Sequence, residues 1–204
     1  TILHKPKKGF SIQMGNPNLL SNLLKKKVYF NFRKKDILNG GEGAPLSPIY
    51  HYLICKIYKI KLPVVFLNLG GIANITYIKS NEEILSFDAG PGNCLIDQWV
   101  RENTEKDYDH FGMIAARGEA ENNIINKEIK NKYHLKFNQR TFDIKDFNIS
   151  FAQGLNLENG AATITEYTSR VIAEKIEGIR DNDISILVCG GGRKNKYLLK
   201  SISK

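Results

Sequence analysis

The chain has 204 residues, of which 42% are hydrophobic and 10% aromatic, and its formal net charge at pH 7 is +9. This length and composition suffice for one well-packed core or two small ones, and they exclude an intrinsically disordered chain. No apolar run approaches the roughly 20 residues that a membrane-spanning helix needs, so we expect no membrane partner.

The positive charge has two interpretations. The lysines occur in short scattered runs such as "KPKK" and "RKK", and elsewhere they mix with acids, as in "NKEIKNKYH". The sequence carries no arginine-rich or aromatic RNA-binding signature. A solvated, lysine-rich surface with no nucleic-acid partner is therefore favoured, and a basic nucleic-acid-binding domain stays open as the weaker hypothesis.

The cysteines and histidines do not form a recognisable site. Cys55, Cys94 and Cys189 are an odd number at wide spacing, which fits neither a disulfide framework nor a zinc site. The four histidines show no metal-ligand spacing either. We therefore expect no metal-binding residues and a reducing, cytoplasmic setting.

The first part of the chain predicts a mixture of short elements. "GFSIQM" alternates as a strand does, "NPNLLSNLL" predicts a helix with Asn16 as its cap, and "KVYFNF" predicts a second strand. "RKKDILNGGEGAPLSP" is predicted to be a polar, glycine-rich loop, and it leads into an apolar helix at "IYHYLICKIY".

From Pro63 the pattern changes to strands, and the predicted class is α/β. "VVFLNLGG", "NITYIK" and "EEILSFD" predict an antiparallel meander, followed by helices at "CLIDQWVREN", at 119–132 and from Asn159. "ISILVC" predicts a last strand that enters a triple-glycine turn and a helix. If this strand runs parallel to the third, the turns at 88–93 and 190–192 lie at one sheet edge, where nucleotide and phosphate clefts form.

"LSFDAGPGN" places Asp88 between an apolar run and a glycine-proline-glycine turn, and two interpretations are open. In the mechanical one, Asp88 ends a strand, the glycines turn the chain and Asn93 caps a helix that begins at Cys94. In the catalytic one, the carboxylate stands at a strand end beside backbone N–H groups aimed at an anionic oxygen. From this stretch alone the mechanical interpretation is favoured.

The remaining glycine turns are weak signals by themselves. "GGGRKNK" lacks the Walker spacing and the chain has no dinucleotide-binding fingerprint, which argues against P-loop and nicotinamide enzymes. Without context, Gly70 and Gly71 are best explained as a hairpin turn between two strands.

Six blocks together carry a family resemblance over nearly all 204 residues. They are "MGNPNLL", "FRKKDILNGGEGAPLSPIYH", "LNLGGIANITYI", "FDAGPGNCLIDQW", "YDHFG" and "LVCGGGRKN". In this order they resemble the anhydro-N-acetylmuramic acid kinase family of the actin/hexokinase-like ATPase superfamily. The resemblance implies an actin/hexokinase-like (ribonuclease H-like) second lobe at 63–204, with residues 1–62 as part of the first lobe.

The resemblance also implies a function. Family members use ATP and Mg²⁺ to open the 1,6-anhydro ring of anhydro-N-acetylmuramic acid with water and to phosphorylate O6, in peptidoglycan recycling. The expected partner is thus a small-molecule sugar, and a homodimer stays open. Asp88 matches the aspartate that serves as general base in the family's FDxGPGN motif.

The other blocks imply binding residues. The loop expected to line the sugar side of the cleft contains Arg33, Asp36, Gly40, Gly41, Gly43, Ala44 and Pro45. The residues expected to contact ATP, in the second phosphate turn, the FDxGPGN motif and the turn near the adenosine, are Gly70, Gly71, Gly90, Gly92, Asn93, Gly190, Gly191 and Gly192.

The chain departs from the family pattern in ways that leave an alternative open. Asn31 and Phe111 stand where the family usually has acids. The N-terminal Gly-Thr-Ser…Asp-Gly element that wraps the ATP phosphates lies outside the chain, as does the C-terminal segment, so a fragment is expected. The alternative hypothesis is a truncated, non-catalytic remnant or subunit of such a kinase.

We expect the 204-residue chain, purified alone, to be a poor kinase or none. Phosphoryl transfer depends on positioning the γ-phosphate in line with its nucleophile, and the resemblance places the main phosphate-wrapping element outside the chain. An ATP-coupled assay with anhydro-N-acetylmuramic acid measures this directly. Robust turnover by the isolated chain would mean that the phosphate site has been assigned to the wrong segment.

Overall fold

A computed structural model describes residues 2–136, 142–179, 181 and 183–204 of the chain. These residues form two compact units, Thr1–Leu53 and Ile54–Lys204. The predicted division into a partial first lobe at 1–62 and a second lobe at 63–204 stays a prediction.

The first unit contains two short strands and a pair of short helices. Strands β1 (Leu3–Lys5) and β2 (Phe10–Ile12) pair antiparallel, and they are followed by helices α1 (Pro17–Leu24) and α2 (Phe32–Leu38). The Asn16 side chain accepts hydrogen bonds from the backbone N–H groups of Asn18 and Leu19, which confirms the predicted cap. Helix α3 (Ser47–Tyr58), also predicted, begins in this unit.

Two predictions for the first unit are wrong. The predicted strand "KVYFNF" is irregular at residues 27–31, and Phe32 already begins α2. Asn31 has a left-handed φ of 61°, which interrupts an extended strand, and Tyr29 and Phe30 are exposed, so no buried face favours one. The polar loop starts only at Asn39, because α2 is held by the burial of Ile37.

The second unit is built on a four-stranded sheet. Its strands are β3 (Val64–Leu69), β4 (Ile72–Ile78), β5 (Ile84–Pro91) and β6 (Ser185–Cys189). The helices of this unit are α4 (Cys94–Asn103), α5 (Asn122–Lys136), α6 (Leu157–Glu177) and α7 (Lys196–Ile202). The strand order is β5-β4-β3-β6, antiparallel except for the parallel pair β3–β6. The α/β class and the meander are confirmed.

The sheet direction brings three strand ends together. Since β4 is antiparallel to both β3 and β5, and β6 is parallel to β3, the strands β3, β5 and β6 all run the same way. Their carboxyl ends, with the glycine turns that follow, therefore lie at one edge of the sheet. This confirms the expectation that the 88–93 and 190–192 turns share an edge.

Helix α6 covers the sheet and fixes α4 beside it. Residues 160–169 of α6 are all buried, and the helix packs against both β5 and α4. Trp99 of α4 is 4% exposed, and its indole N–H donates a 3.0 Å hydrogen bond to the carbonyl of Leu157. No helix within the described residues is long and apolar enough to cross a membrane.

The α4–α6 contact generates a stability prediction. A Cβ at Gly160 would overlap the Trp99 indole ring, whereas a Cβ at Gly178 meets nothing closer than 3.4 Å. We expect Gly160→Ala to lower the free energy of unfolding by about 1–3 kcal/mol, although alanine is the better helix former. Gly178→Ala, the matched control, should change it by less than about 0.5 kcal/mol. Urea unfolding of both variants tests this, and equal effects would contradict it.

Candidate functional site

Asp88 lies near the end of β5, beside a β-bulge. Asn74 of β4 pairs with Asp88 and Ala73 pairs with Gly90, so Ala89 is an extra residue on β5. A bulge of this kind turns the neighbouring side chains and is common next to active sites. The partly buried carboxylate accepts a 2.8 Å hydrogen bond at Oδ2 from the backbone N–H of Phe142.

The glycine after the bulge has a packing role. Gly90 has a φ of +146°, and a Cβ there would lie 2.6 Å from Cγ1 of Val171 on α6. A side chain at this position would therefore push the helix away from the strand. The low bulk of "DAGPG" lets α6 pack directly behind the strand end that carries Asp88.

The first glycine turn is tied to the start of α4 by backbone hydrogen bonds. The N–H of Gly92 donates to the carbonyl of Gly71 at 2.9 Å, and that of Asn93 donates to Gly70 at 2.7 Å. A Cβ on Gly92 would overlap the Gly70 carbonyl oxygen. The N–H groups of Gly92 and Asn93 are therefore used within the protein, whereas the catalytic interpretation of this stretch has N–H groups aimed at an anionic oxygen.

Asn93 corrects a detail of the sequence analysis. The helix begins at Cys94 as predicted, but the Asn93 side chain does not cap it. Its Nδ2 instead donates to the carbonyl of Leu69 at 3.1 Å, linking the end of β3 to α4. The strand end offers this carbonyl close by, so the amide turns toward the sheet rather than into the helix.

The second glycine turn packs onto the same place. A Cβ on Gly190 would lie 2.6 Å from the Leu69 carbonyl oxygen, and one on Gly192 would lie 2.9 Å from Oδ1 of Asn93. We call Gly70, Gly92, Gly190 and Gly192, with the side chains of Asn68 and Asn93, the glycine junction. It joins the three strand ends at the sheet edge.

Two of the expected ATP-binding glycines remain open to solvent. Gly71 and Gly191 are exposed, and a Cβ on either would meet no atom closer than 3.8 Å. The structure thus divides the expected residues by role: Gly90 and the junction glycines permit close packing, whereas Gly71 and Gly191 present backbone at the surface.

A cavity of about 350 Å³ lies beside the junction. Asn93, Gly191 and Gly192 contribute to its wall. The remaining lining includes groups that the sequence analysis did not assign, namely Asp97, Tyr108, His110, Phe111, Arg193 and Lys194. With Asp109, which also lines it, the cavity therefore combines aromatic rings, two cationic side chains and two carboxylates, a mixture typical of small-molecule sites.

Asp109, in the "YDHFG" block, has a structural role. The residue is 4% exposed, and its two carboxylate oxygens accept hydrogen bonds from the N–H groups of Ile114 at 2.8 Å and Ala115 at 3.0 Å. A buried carboxylate with two backbone donors is well satisfied and fixes the loop that contains it. Asp109 thereby holds the 110–113 segment at the cavity.

Asp97 is the acid of the cavity whose environment is most unusual. Burial raises the pKa of its carboxyl to about 6, an effect that Arg101 opposes and the nearby Asp109 charge increases. At neutral pH its ionised form is therefore held in a site that disfavours the charge. Groups of this kind are candidates for ligand contact.

The expected sugar-side loop is a compact structure within the first unit. Arg33 donates to the Gly43 carbonyl at 2.7 Å, and Asp36 accepts from the Gly43 N–H at 2.6 Å. Gly40 and Gly43 both have positive φ, and the Ala44–Pro45 peptide bond is cis. Gly41 packs so closely on the Asp36 carboxylate that a Cβ would overlap it. The structure therefore brings these expected residues together, because the side chains of Arg33 and Asp36 hydrogen-bond to Gly43 in the loop.

The described residues provide no protein-built metal centre. Within 2–136, 142–179, 181 and 183–204, no three or more His, Cys, Asp and Glu side chains are grouped so as to hold an ion. Sites that bind Mg²⁺ with a nucleotide commonly use one or two carboxylates together with the phosphates. The donor set described does not fit a dedicated magnesium cage.

Several residues of this region were missed by the sequence analysis. Asn68 contacts Gly190, Phe142 fixes Asp88, and the aromatic residues of "YDHFG" line the cavity. The Phe142 contact uses a backbone N–H, which no side-chain pattern reports. Asn68 is a polar residue within the apolar run "VVFLNLGG", and a polar side chain in a buried strand indicates a specific contact.

The raised pKa of Asp97 predicts a pH-dependent effect on stability. The folded pKa of about 6 exceeds the unfolded value, so ionisation of Asp97 lowers the free energy of unfolding. This loss is absent below about pH 4, where the carboxyl is protonated, and complete above about pH 7. Asp97→Asn cannot ionise at this position and is spared the loss. Its free energy of unfolding relative to the wild type should therefore rise by about 1 kcal/mol from pH 4 to pH 7, a value that allows for solvent screening. Chemical unfolding at both pH values tests it against Asp107→Asn, an exposed control. A difference that is constant with pH would contradict it.

A family model and two curated relatives that match this chain carry the same name. Residues 1–204 match the family model described as anhydro-N-acetylmuramic acid kinase. A protein of that name from Pelagibacter ubique is 46% identical, over 100% of this chain and 56% of the relative. One from Zymomonas mobilis is 37% identical, over 99% and 55%. The chain thus spans a little over half the length of these curated relatives.

A solved structure gives a weaker similarity. The activator of the 2-hydroxyisocaproyl-CoA dehydratase from Clostridium difficile, with bound ADPNP, aligns with 71% of this chain and 51% of its own. The identity is 14% and the TM-score 0.44, so the two structures are only weakly similar. The family match, by contrast, covers every residue, and the chain belongs to the anhydro-N-acetylmuramic acid kinase family.

Proposed function

We propose that this chain supplies the general base and part of the nucleotide site of an ATP-dependent sugar kinase. The reaction is hydrolysis of the 1,6-anhydro ring of anhydro-N-acetylmuramic acid with phosphorylation of O6, giving N-acetylmuramic acid 6-phosphate. The observation that carries the proposal is the position of Asp88. It stands beside a bulge, is fixed by a backbone donor, and lies at the sheet edge where the glycine turns also end.

The proposed step moves one proton and exchanges two bonds. The Asp88 carboxylate takes a proton from a water molecule, whose oxygen attacks the anomeric carbon of the sugar. The bond between that carbon and O6 breaks, and its electron pair stays on O6. This oxygen attacks the γ-phosphorus of ATP, and ADP leaves with the electrons of the broken phosphoanhydride bond.

The surroundings of Asp88 support a positioning argument. The hydrogen bond from Phe142 N–H to Oδ2 restricts rotation of the carboxylate, and the bulge at Ala89 sets its direction relative to the sheet. A base held in one orientation needs less reorganisation when the proton moves. These contacts explain why an acid at a strand end can do more than terminate the strand.

The nucleotide is proposed to bind at the same sheet edge. Gly71 and Gly191 leave exposed backbone near the strand ends, where phosphate groups can approach closely. The 350 Å³ cavity beside them, with Arg193 and Lys194, is proposed to take the nucleoside part. Mg²⁺ enters only as the ion that accompanies ATP, and no step is assigned to it.

The sugar is proposed to contact the segment from Arg33 to Pro45, which comprises most of α2 and the loop after it. Arg33 and Asp36 hold its backbone through Gly43, so the loop is preorganised rather than free to rearrange. A role in peptidoglycan recycling belongs to this proposal and rests on the family resemblance. The cytoplasmic location rests on the three free cysteines, and a homodimer stays open.

The assignment of Asp88 predicts a specific loss of turnover. In a chimera that completes this chain with the remaining segments of the Pelagibacter ubique relative, Asp88→Asn should lower kcat by a factor of about 10² to 10⁴. Affinity for the sugar should change little, because asparagine keeps the size of the side chain and loses only the proton acceptor. An ATP-coupled assay and calorimetric titration with the sugar measure the two effects.

Asp107→Asn is the matched control, since its side chain is exposed and lies outside the cavity lining. It should retain the turnover of the parent chimera. Near-normal turnover by the Asp88→Asn chimera would end the assignment of the base. Loss of sugar binding in that variant would instead make Asp88 a binding residue.

A further inference from the structure

An exposed aromatic strip forms part of the wall of the 350 Å³ cavity. It consists of Tyr108, His110 and Phe111, all of which line the cavity. The ring centroids of His110 and Phe111 are 4.2 Å apart in an edge-to-face arrangement, and those of Tyr108 and His110 are 6.0 Å apart. Three neighbouring rings thus face a small cavity from one loop.

The backbone of Phe111 is held in a costly conformation. Its φ of 55° and ψ of 14° are in the left-handed region, which is unfavourable for a non-glycine residue by about 1 kcal/mol or more. Burial does not compensate, because 43% of the residue is exposed. A strained and exposed phenylalanine at a cavity indicates that the ring has a use outside the protein core.

The neighbouring contacts explain how the ring is kept in place. Gly112 follows with a φ of +75°, and a Cβ on it would overlap Oδ1 of Asn195. Asn195 is itself buried, and its side chain accepts a hydrogen bond from the N–H of Leu198. On the other side, Asp109 is fixed by two backbone donors. The loop is therefore anchored at both ends of the aromatic strip.

The chemistry of the cavity indicates what the ring would meet. A volume of about 350 Å³ is at the lower end of the range for small-molecule sites and is enough for a nucleoside. Lys194 and Arg193 supply positive charge next to the open Gly191, and the aromatic strip supplies rings that line the cavity, with Nζ of Lys196 over the Phe111 ring at 5.9 Å from its centroid. Planar bases stack favourably on aromatic rings, whatever their hydrogen-bonding groups.

We infer that Phe111 is the stacking platform for the purine base of the nucleotide, with His110 as its support. The inference rests on the proposed function for the choice of ATP as ligand. It adds a specificity-determining contact, because the Phe111 ring recognises the base and takes no part in binding the triphosphate.

Titration calorimetry of the 204-residue chain with ATP and with inorganic tripolyphosphate tests this. Phe111→Ala should weaken ATP binding roughly tenfold while changing tripolyphosphate binding less than twofold, because only the base loses its partner. Phe111→Tyr, which keeps a ring, should bind ATP as the wild type does. Met113→Ala is the matched control, since Met113 is a 55% exposed residue of the same loop outside the cavity lining.

Proton NMR of bound ATP distinguishes a stacking role of Phe111 from a purely structural one, because only stacking changes the chemical shifts of the adenine protons. The adenine H2 and H8 resonances should shift upfield on binding to the wild type and to Phe111→Tyr, through the ring current, and not on binding to Phe111→Ala. Unchanged ATP affinity in Phe111→Ala would overturn the inference. Equal loss of ATP and tripolyphosphate would also overturn it, since the loop would then serve only the fold.

The outcome is separable from that of the kinase assay. ATP binding that depends on Phe111, together with an Asp88→Asn chimera that turns over normally, would retain the stacking contact and remove the proposed base. A wild-type chain that binds no ATP at millimolar concentration would overturn the stacking contact, whatever the sugar kinase assay shows.

Discussion

The close approach of backbone to backbone at the glycine junction is the constraint on which the sheet edge depends. The carbonyls of Gly70 and Gly71 accept hydrogen bonds from the N–H groups of residues 92–94, and Gly190 packs on the end of β3. A Cβ on Gly92 or on Gly190 would overlap the backbone opposite it, so these two close approaches require glycine. The three strands that end here are thereby joined into one rigid edge, from which the Asp88 carboxylate and the cavity are both presented.

A division of labour among the glycines follows from this geometry. Glycine-rich turns in nucleotide-binding proteins are often explained by access of phosphate to the backbone. In this chain the junction glycines let other segments of the same chain pack closely against their backbone. Of the glycines in the two turns, only Gly71 and Gly191 are exposed to solvent. Close packing between chain segments and access of phosphate to exposed backbone both depend on the absence of a Cβ.

The sequence predicted the parts of the fold that depend on periodic hydrophobic pattern. The meander, α4, α6 and the final strand were found because their apolar residues repeat with a clear period. The strand expected at "KVYFNF" failed, because its apolar residues are exposed and Asn31 adopts a left-handed conformation. Pattern alone does not reveal whether an apolar run has anything to pack against.

The candidate site was predictable to a lesser degree. Asp88 and the glycine turns are visible as motifs, but the donor from Phe142 is a backbone group 54 residues away in the chain. The cavity combines residues from α4, the 108–111 loop and the turn after β6, which only the folded topology brings together. The raised pKa of Asp97 also depends on burial and on Asp109, which sequence neighbours do not report.

The glycine junction has an evolutionary consequence. When two large side chains share a crowded space, a gain of volume at one position can be offset by a loss at the other. At Gly92 the opposing atoms are backbone atoms of Gly70 and Ala73, and at Gly190 they include the Leu69 carbonyl, so a smaller side chain on the partner would make no room there. A gain of volume at Gly92 or Gly190 must therefore be accommodated by moving a strand end, because a backbone atom cannot be replaced by a smaller one.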